Sequence, residues 1–213
     1  MIHLIIGQNR FRIDEMIASL TAKFDGETLR VSGEEIDLPK LTDLVAGTSL
    51  FSSQRLVIIN GLSQNKSVWE QLPGFEKRIS DDTRLVLIEN SVDKRTKTYK
   101  SLAKVAKIVE ANHWSQRERG LAEEWADQYA KERGMLLDRI SKQHIVERSM
   151  IPSESNSGLV IDQQRLANAL DTLSLLDKVD EEVIDTVLPP SIVDNVFDLL
   201  SLALEGNQAK LAR

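Results

Sequence analysis

Phosphate chemistry is the first possibility the sequence raises. An apolar run, Ile2 to Ile6, ends at Gly7. A loop of the form G-x-x-x-x-G-K-[ST] at such a place would cradle phosphates with its amides and its lysine. The loop here reads Gly7-Gln8-Asn9-Arg10-Phe11-Arg12-Ile13. It keeps the first glycine and lacks the second glycine, the lysine and the hydroxyl residue, so nucleotide hydrolysis is not expected. Further on, Leu85-Val86-Leu87-Ile88 leads to Glu89-Asn90, where a Walker B strand would lead to paired acids; Glu89 alone can mimic one of them. Other chemistries find less. There is no G-x-S-x-G elbow, and no Ser/His/Asp set is suggested by spacing. The pairs Asp81-Asp82 and Glu34-Glu35 are sequence neighbours, which point to opposite faces of an extended chain and make poor acid/base partners; Asp81-Asp82 reads as a turn. His3, His113 and His144 lie far apart and cysteine is absent, so no metal spacing, thiolate zinc site or disulfide is on offer.

Two stretches read instead as binding surfaces. In Thr48-Ser49-Leu50-Phe51-Ser52-Ser53-Gln54-Arg55, a Leu-Phe pair is set among small polar residues where neither the helical nor the strand period holds. Pattern alone would make Leu50 and Phe51 core residues opening the next strand; the flanking Ser, Thr and Gln argue for projection from a connection. The second stretch, Lys94 to Lys107, carries six basic residues and no acidic one in a chain of net charge −6. A solvated helix face and a contact with duplex phosphates are equally balanced readings of it. From Met150 to Gly206 the balance is opposite, with eleven acidic residues against two basic ones. Trp69, Trp114 and Trp125 are expected in the core, since stacking on single strands needs aromatics within a basic groove and only Trp114 is near one.

Elements must position these residues. Strands are expected at Ile2–Ile6, Glu27–Val31, Leu56–Ile59, Leu85–Ile88 and Ile108–Val109. Between them come helices at Arg10–Phe24, Leu38–Ala46 with Gly47 as its stop, Ser67–Ile79 with Pro73-Gly74 interrupting it, and Lys94–Ala106. Strands alternating with helices imply βαβ units and a three-layer parallel five-stranded α/β sheet over residues 1–114. Beyond it the pattern turns helical: Arg117–Arg133 with Leu121, Trp125 and Tyr129 as its stripe, Ser141–Met150, Gln163–Leu176, and Asp180–Val187 capped by Asp180. A polar loop, Pro152 to Gly158, interrupts them. Residues 115–188 are therefore expected to form a small all-helical domain. After Pro189-Pro190 a last helix, Ile192–Leu204, is left over. The 41% apolar fraction supports a core, and the 28% charged fraction argues against a membrane protein. No apolar run approaches the roughly 20 residues that span a bilayer. The first residues lack a basic stretch and a small-residue cleavage site, so no signal peptide is read and a cytoplasmic protein without cofactors is expected.

An α/β domain followed by a small helical one is the layout of AAA+ ATPases, here with a degenerate phosphate loop. More specifically, the chain resembles the delta subunit of the bacterial DNA polymerase III clamp loader. Four segments carry the likeness, in order along the chain: Leu4 to Phe11, similar to a degenerate first loop; Thr48 to Val57, similar to a clamp-interaction segment; Asp93 to Lys100, similar to the basic stretch after the fourth strand; and Asn195-Val196-Phe197-Asp198-Leu199, similar to the opening of a third, collar domain. The resemblance implies a non-catalytic protein, without cofactor, that binds the ring-shaped sliding clamp (beta) and helps open it for primed DNA. Thr48, Ser49, Leu50 and Phe51 would contact the clamp, with Leu50 and Phe51 as anchors. Lys94, Arg95, Lys97 and Lys100 are the candidates to face DNA. Other clamp-loader subunits are implied partners, a membrane is not, and residues 189–213 would begin the collar domain. Ala46, Gly47 and Thr48 stand where clamp-binding peptides often carry a glutamine. The alternative is a divergent AAA+-type nucleotide-binding switch ATPase, which a Mg-ATP binding assay separates from the first reading.

Overall fold

A computed structural model describes residues 1–46, 54–154 and 158–190. The chain divides into two compact units, Met1–Asn112 and His113–Arg213.

The first unit is built on five parallel strands: β1 (Ile2–Ile6), β2 (Glu27–Ser32), β3 (Arg55–Asn60), β4 (Thr83–Glu89) and β5 (Ala106–Glu110), in the order β2-β3-β4-β1-β5. Parallel strands covered on both faces read as continuous apolar runs. That is why β1, β3 and β4 were legible and sit in the middle, while the two edge strands β2 and β5 are mixed and only partly buried. Successive side chains alternate between faces. Leu4, Ile6, Val57, Ile59, Leu85 and Leu87 belong to one core, with Leu41 and Val45 of α2 (Leu38–Ala46) and with Trp69, Leu72, Phe75 and Leu102. Ile5, Leu56, Ile58, Val86 and Ile88 belong to another, with Ile13 and Ile17 of α1 (Arg10–Ala22).

Two helices differ from expectation. The segment after β3 is not one helix broken at Pro73. It is a pair of single turns, α3 (Lys66–Trp69) and α4 (Leu72–Phe75), the break falling at Glu70-Gln71. Pro73 sits inside the first turn of α4, where its missing N–H costs nothing. Helix α5 starts at Lys97, three residues later than expected, and ends at Val105. The Asp93 carboxylate accepts from the Arg95 amide (2.9 Å), and the Asp93 carbonyl from the Thr96 amide (3.1 Å). A turn thus precedes the helix, and the Thr96 hydroxyl caps it by accepting from the Tyr99 amide at 3.3 Å.

The second unit is mainly helical: α6 (Arg119–Glu132), α7 (Arg139–Arg148), α8 (Gln163–Leu173) and α9 (Glu181–Val187). Asp138, Asp162 and Asp180 each cap a helix through their carboxylates. Gly134, at φ +75°, follows α6. The face of α6 turned to the core is not Leu121, Trp125 and Tyr129. It is the row one residue along, Ala122, Ala126 and Ala130, all buried, whereas Leu121 is exposed. Alanines allow neighbouring helices a close approach that indole and phenol rings do not. The rings instead gather at the edge: Trp114 tilted against Trp125 at 5.8 Å, Trp125 stacked on Tyr129 at 4.6 Å, and the Arg133 guanidinium over Tyr129 at 3.4 Å. Besides the helices there is a small antiparallel sheet, β6 (Trp114–Ser115), β8 (Leu159–Ile161) and β7 (Met150–Pro152), in that order. Strands of two or three residues are too short for alternation to reveal. Among the described residues, no helix is long and apolar enough to cross a membrane.

Candidate functional site

The loop after β1 is where a phosphate cradle would have to be. Only Gly7, Gln8 and Asn9 separate β1 from α1. The Gly7 amide donates to the Glu89 carbonyl and the Asn9 amide to the Ala111 carbonyl, both at 2.9 Å. The Asn9 side chain, 1% exposed, accepts from the Arg12 amide at 3.1 Å and donates to the Asn112 carbonyl at 3.4 Å. The Gly7 and Asn9 amides are thus bonded within the protein, and a side-chain oxygen caps the start of α1 where an anion otherwise could. Gly7 has its own reason to be glycine. Its φ is +143°, and a Cβ there would lie 2.1 Å from the Ala111 carbonyl oxygen.

Glu89 ends β4 beside this loop and is 1% exposed. Burial pushes its carboxyl upward, opposed by the hydrogen bonds it accepts from the Ser63 amide (3.2 Å) and hydroxyl (2.6 Å). An acid held this way is a structural tie between β4 and the turn after β3. Asn9 and Ser63 were not singled out from sequence. A signal for Asn9 existed, since an Asn directly before an apolar-periodic segment is a helix-cap signature.

Thr48, Ser49, Leu50 and Phe51 lie outside the described residues, as do Gly47 and the segment Asn195 to Leu199. The ends of the connection that holds the Leu-Phe pair are described. Helix α2 ends at Ala46, and Arg55 opens β3. Arg55, also not singled out, reaches Glu27 of β2 at 3.2 Å and the Asp43 carbonyl of α2 at 3.1 Å. It fastens the end of the connection to both neighbouring elements.

The basic stretch divides in two. Lys94 and Arg95, in the turn before α5, are paired with Glu110 (2.5 Å) and Asp93 (3.0 Å). Arg95 holds the Asp93 carboxyl down to about 2. Glu110 lies just beyond the segment counted as free of acids, and the fold returns it to Lys94. Lys97 and Lys100, on α5, form no ion pair with a described residue and are exposed. The four lysines and arginines therefore do not form one uniform face. Beside them, Ser63, Trp69, Ser91, Lys97 and Thr98 line a groove of about 760 Å³. Among the described residues there is no cluster of His, Asp and Glu fit to hold a metal.

A parallel sheet of this order with flanking helices and a following helical segment is an AAA+-like α/β fold. Solved structures agree on the fold. The chain matches the Bacillus subtilis DNA clamp loader delta protein with a TM-score of 0.59 at 15% identity. It also matches the Thermotoga maritima RuvB Holliday junction branch migration motor (0.50, 13%) and domain III of the Thermotoga maritima replication initiation protein DnaA (0.50, 11%). These alignments cover 99%, 87% and 89% of this chain and 65%, 60% and 85% of the respective structures, so the chain spans less than two thirds of the clamp loader protein it matches. Comparison with curated sequences gave no match. Residues 3–112, just over half of the chain, match the family described as DNA polymerase III, delta subunit, and the chain belongs to that family.

Proposed function

We propose that this protein is a non-catalytic clamp-loader subunit in DNA replication, which binds the sliding clamp, helps open it and works beside other loader subunits on primed DNA. The observation that carries the reading is the loop after β1: in a chain of the delta family, its amides are bonded to Glu89 and Ala111 and its helix start is capped by Asn9. That closure favours a protein acting through its surfaces over a nucleotide switch. Thr48, Ser49, Leu50 and Phe51 supply the clamp contact, Leu50 and Phe51 entering an apolar pocket. Lys97 and Lys100 supply the phosphate contact, with Lys94 and Arg95 in reserve behind their ion pairs, since exposed pairs of this kind are worth little and exchange readily for phosphate. Residues 115–188 act as a lid-type domain and residues 189–213 begin a collar.

The test is the double change Leu50→Ala, Phe51→Ala. Burying both side chains in the clamp is worth about 3–6 kcal/mol before association costs, and hot spots concentrate in such anchors. Clamp capture is expected to vanish while the melting temperature barely moves. If the pair belongs to the core, the cavity left behind costs several kcal/mol of stability; a large fall in melting temperature with clamp capture intact would refute the assignment.

A further inference from the structure

The groove beyond the C-terminal ends of β3 and β4 is lined by residues whose donors have no partner among the described residues. Trp69 and Thr98 line it and are 7% and 4% exposed. Neither the Trp69 indole N–H nor the Thr98 hydroxyl has a hydrogen-bond partner among the described residues, and neither atom is sealed from solvent. Both residues are more than nine-tenths buried, and both line the groove. Polar groups this buried are normally paired. The nine-residue helix α5 begins at the same place. Thr96 caps the Tyr99 amide, which leaves the amides of Lys97 and Thr98 without a partner among the described residues.

Charge points the same way. Of the two acids in the lining, Glu70 faces Lys66 at 3.8 Å and Asp93 is held by Arg95 at 3.0 Å. Lys97 is the lining cation left without an ion pair to a described residue. The residues that carry a hydroxyl, an indole N–H, two helix-start amides and an ammonium group line one groove, and both acids of that lining are paired. A carboxylate presents two oxygens to such a set; a phosphate presents three or more, and the positive end of a helix favours its charge.

We propose that this groove binds a phosphate group, held by the Trp69 indole, the Thr98 hydroxyl, the first amides of α5 and Lys97. The site sharpens the DNA contact proposed above, because Lys97 belongs to both, but its chemistry stands without that reading. The phosphate can come from a DNA backbone or from a free nucleotide.

The full chain, labelled with ¹⁵N, is titrated with inorganic phosphate at constant ionic strength, chloride serving as the balancing anion. The Trp69 indole resonance and the Lys97 and Thr98 amides are expected to shift together and saturate. Thr98→Val, which keeps the shape and loses the hydroxyl, is expected to weaken binding about fivefold, the worth of one hydrogen bond. Thr98→Ser is expected to restore it. Stationary Trp69 and α5 resonances, or equal affinity in Thr98→Val, overturn the proposal. Primed DNA and AMP are then added to separate samples: whichever moves the same resonances identifies the source of the phosphate, and movement by neither overturns the site. Lys100 lies outside the groove lining. A Lys100→Ala variant that lowers the salt dependence of DNA binding and leaves the phosphate titration unchanged tests the DNA-facing reading separately.

Discussion

Gly7→Ala tests whether the glycine after β1 is required by packing. Alanine would have to hold φ near +143° with its Cβ 2.1 Å from the Ala111 oxygen and 2.3 Å from its carbonyl carbon. The obstacle is backbone, so no rotamer change relieves it. Holding the unfavourable backbone conformation costs about 1–3 kcal/mol. Moving residues 111–112 away instead endangers two hydrogen bonds, Asn9 amide to Ala111 carbonyl (2.9 Å) and Ala111 amide to Ile6 carbonyl (2.7 Å), worth roughly 1 kcal/mol each. The backbone strain is incurred whether or not residues 111–112 move, so with both bonds lost the total is about 3–5 kcal/mol, which would remove most of the stability of a small unit. Trp69 is the tryptophan of the first unit, with Trp114 and Trp125 in the second. Urea unfolding followed by fluorescence in a Trp114→Phe, Trp125→Phe background therefore reports on the unit that holds Gly7. A fall in midpoint at unchanged slope is expected. A loss below about 1 kcal/mol would show that the loop yields easily, and the packing account of Gly7 would be wrong.

Asn9→Ala removes the cap of α1 and a buried amide, and is expected to cost about 1–2 kcal/mol in the same assay. Asn9→Asp keeps the accepting oxygen and should cost clearly less; equal losses would argue against the cap. For Glu89, the folded carboxyl is raised above its unfolded value, so its contribution to stability is fully present below the unfolded value, about pH 4, and is lost as pH rises through the folded one. Glu89→Gln should flatten that dependence, making the variant relatively more stable at pH 7 than at pH 4; parallel urea midpoints for variant and parent across that range would contradict it.

Sequence alone determined the parts that rest on local pattern. Ile2–Ile6, Leu56–Ile59 and Leu85–Ile88 are continuous apolar runs because central parallel strands are buried on both faces, and that periodicity exists before any folding. The same holds for the Asp180 cap and for the missing Gly-Lys-Ser/Thr after β1. The delta resemblance, too, was legible in short ordered segments. What the tertiary structure alone decided depends on residues far apart in the chain. Ala111 approaches Gly7, and Ser63 meets Glu89, only because β1 pairs with both β4 and β5 while the turn after β3 reaches the end of β4. Glu110 returns to Lys94 and divides a basic run that looked uniform. Alanines replace the aromatic row of α6 in the core because a facing helix, invisible in the sequence of α6, sets how close the backbones come. The groove at Trp69 and Thr98 likewise needs α3 and the start of α5 side by side. Periodicity fixes which side of an element is apolar; only packing in three dimensions fixes which donor meets which acceptor, and which is left facing an open groove.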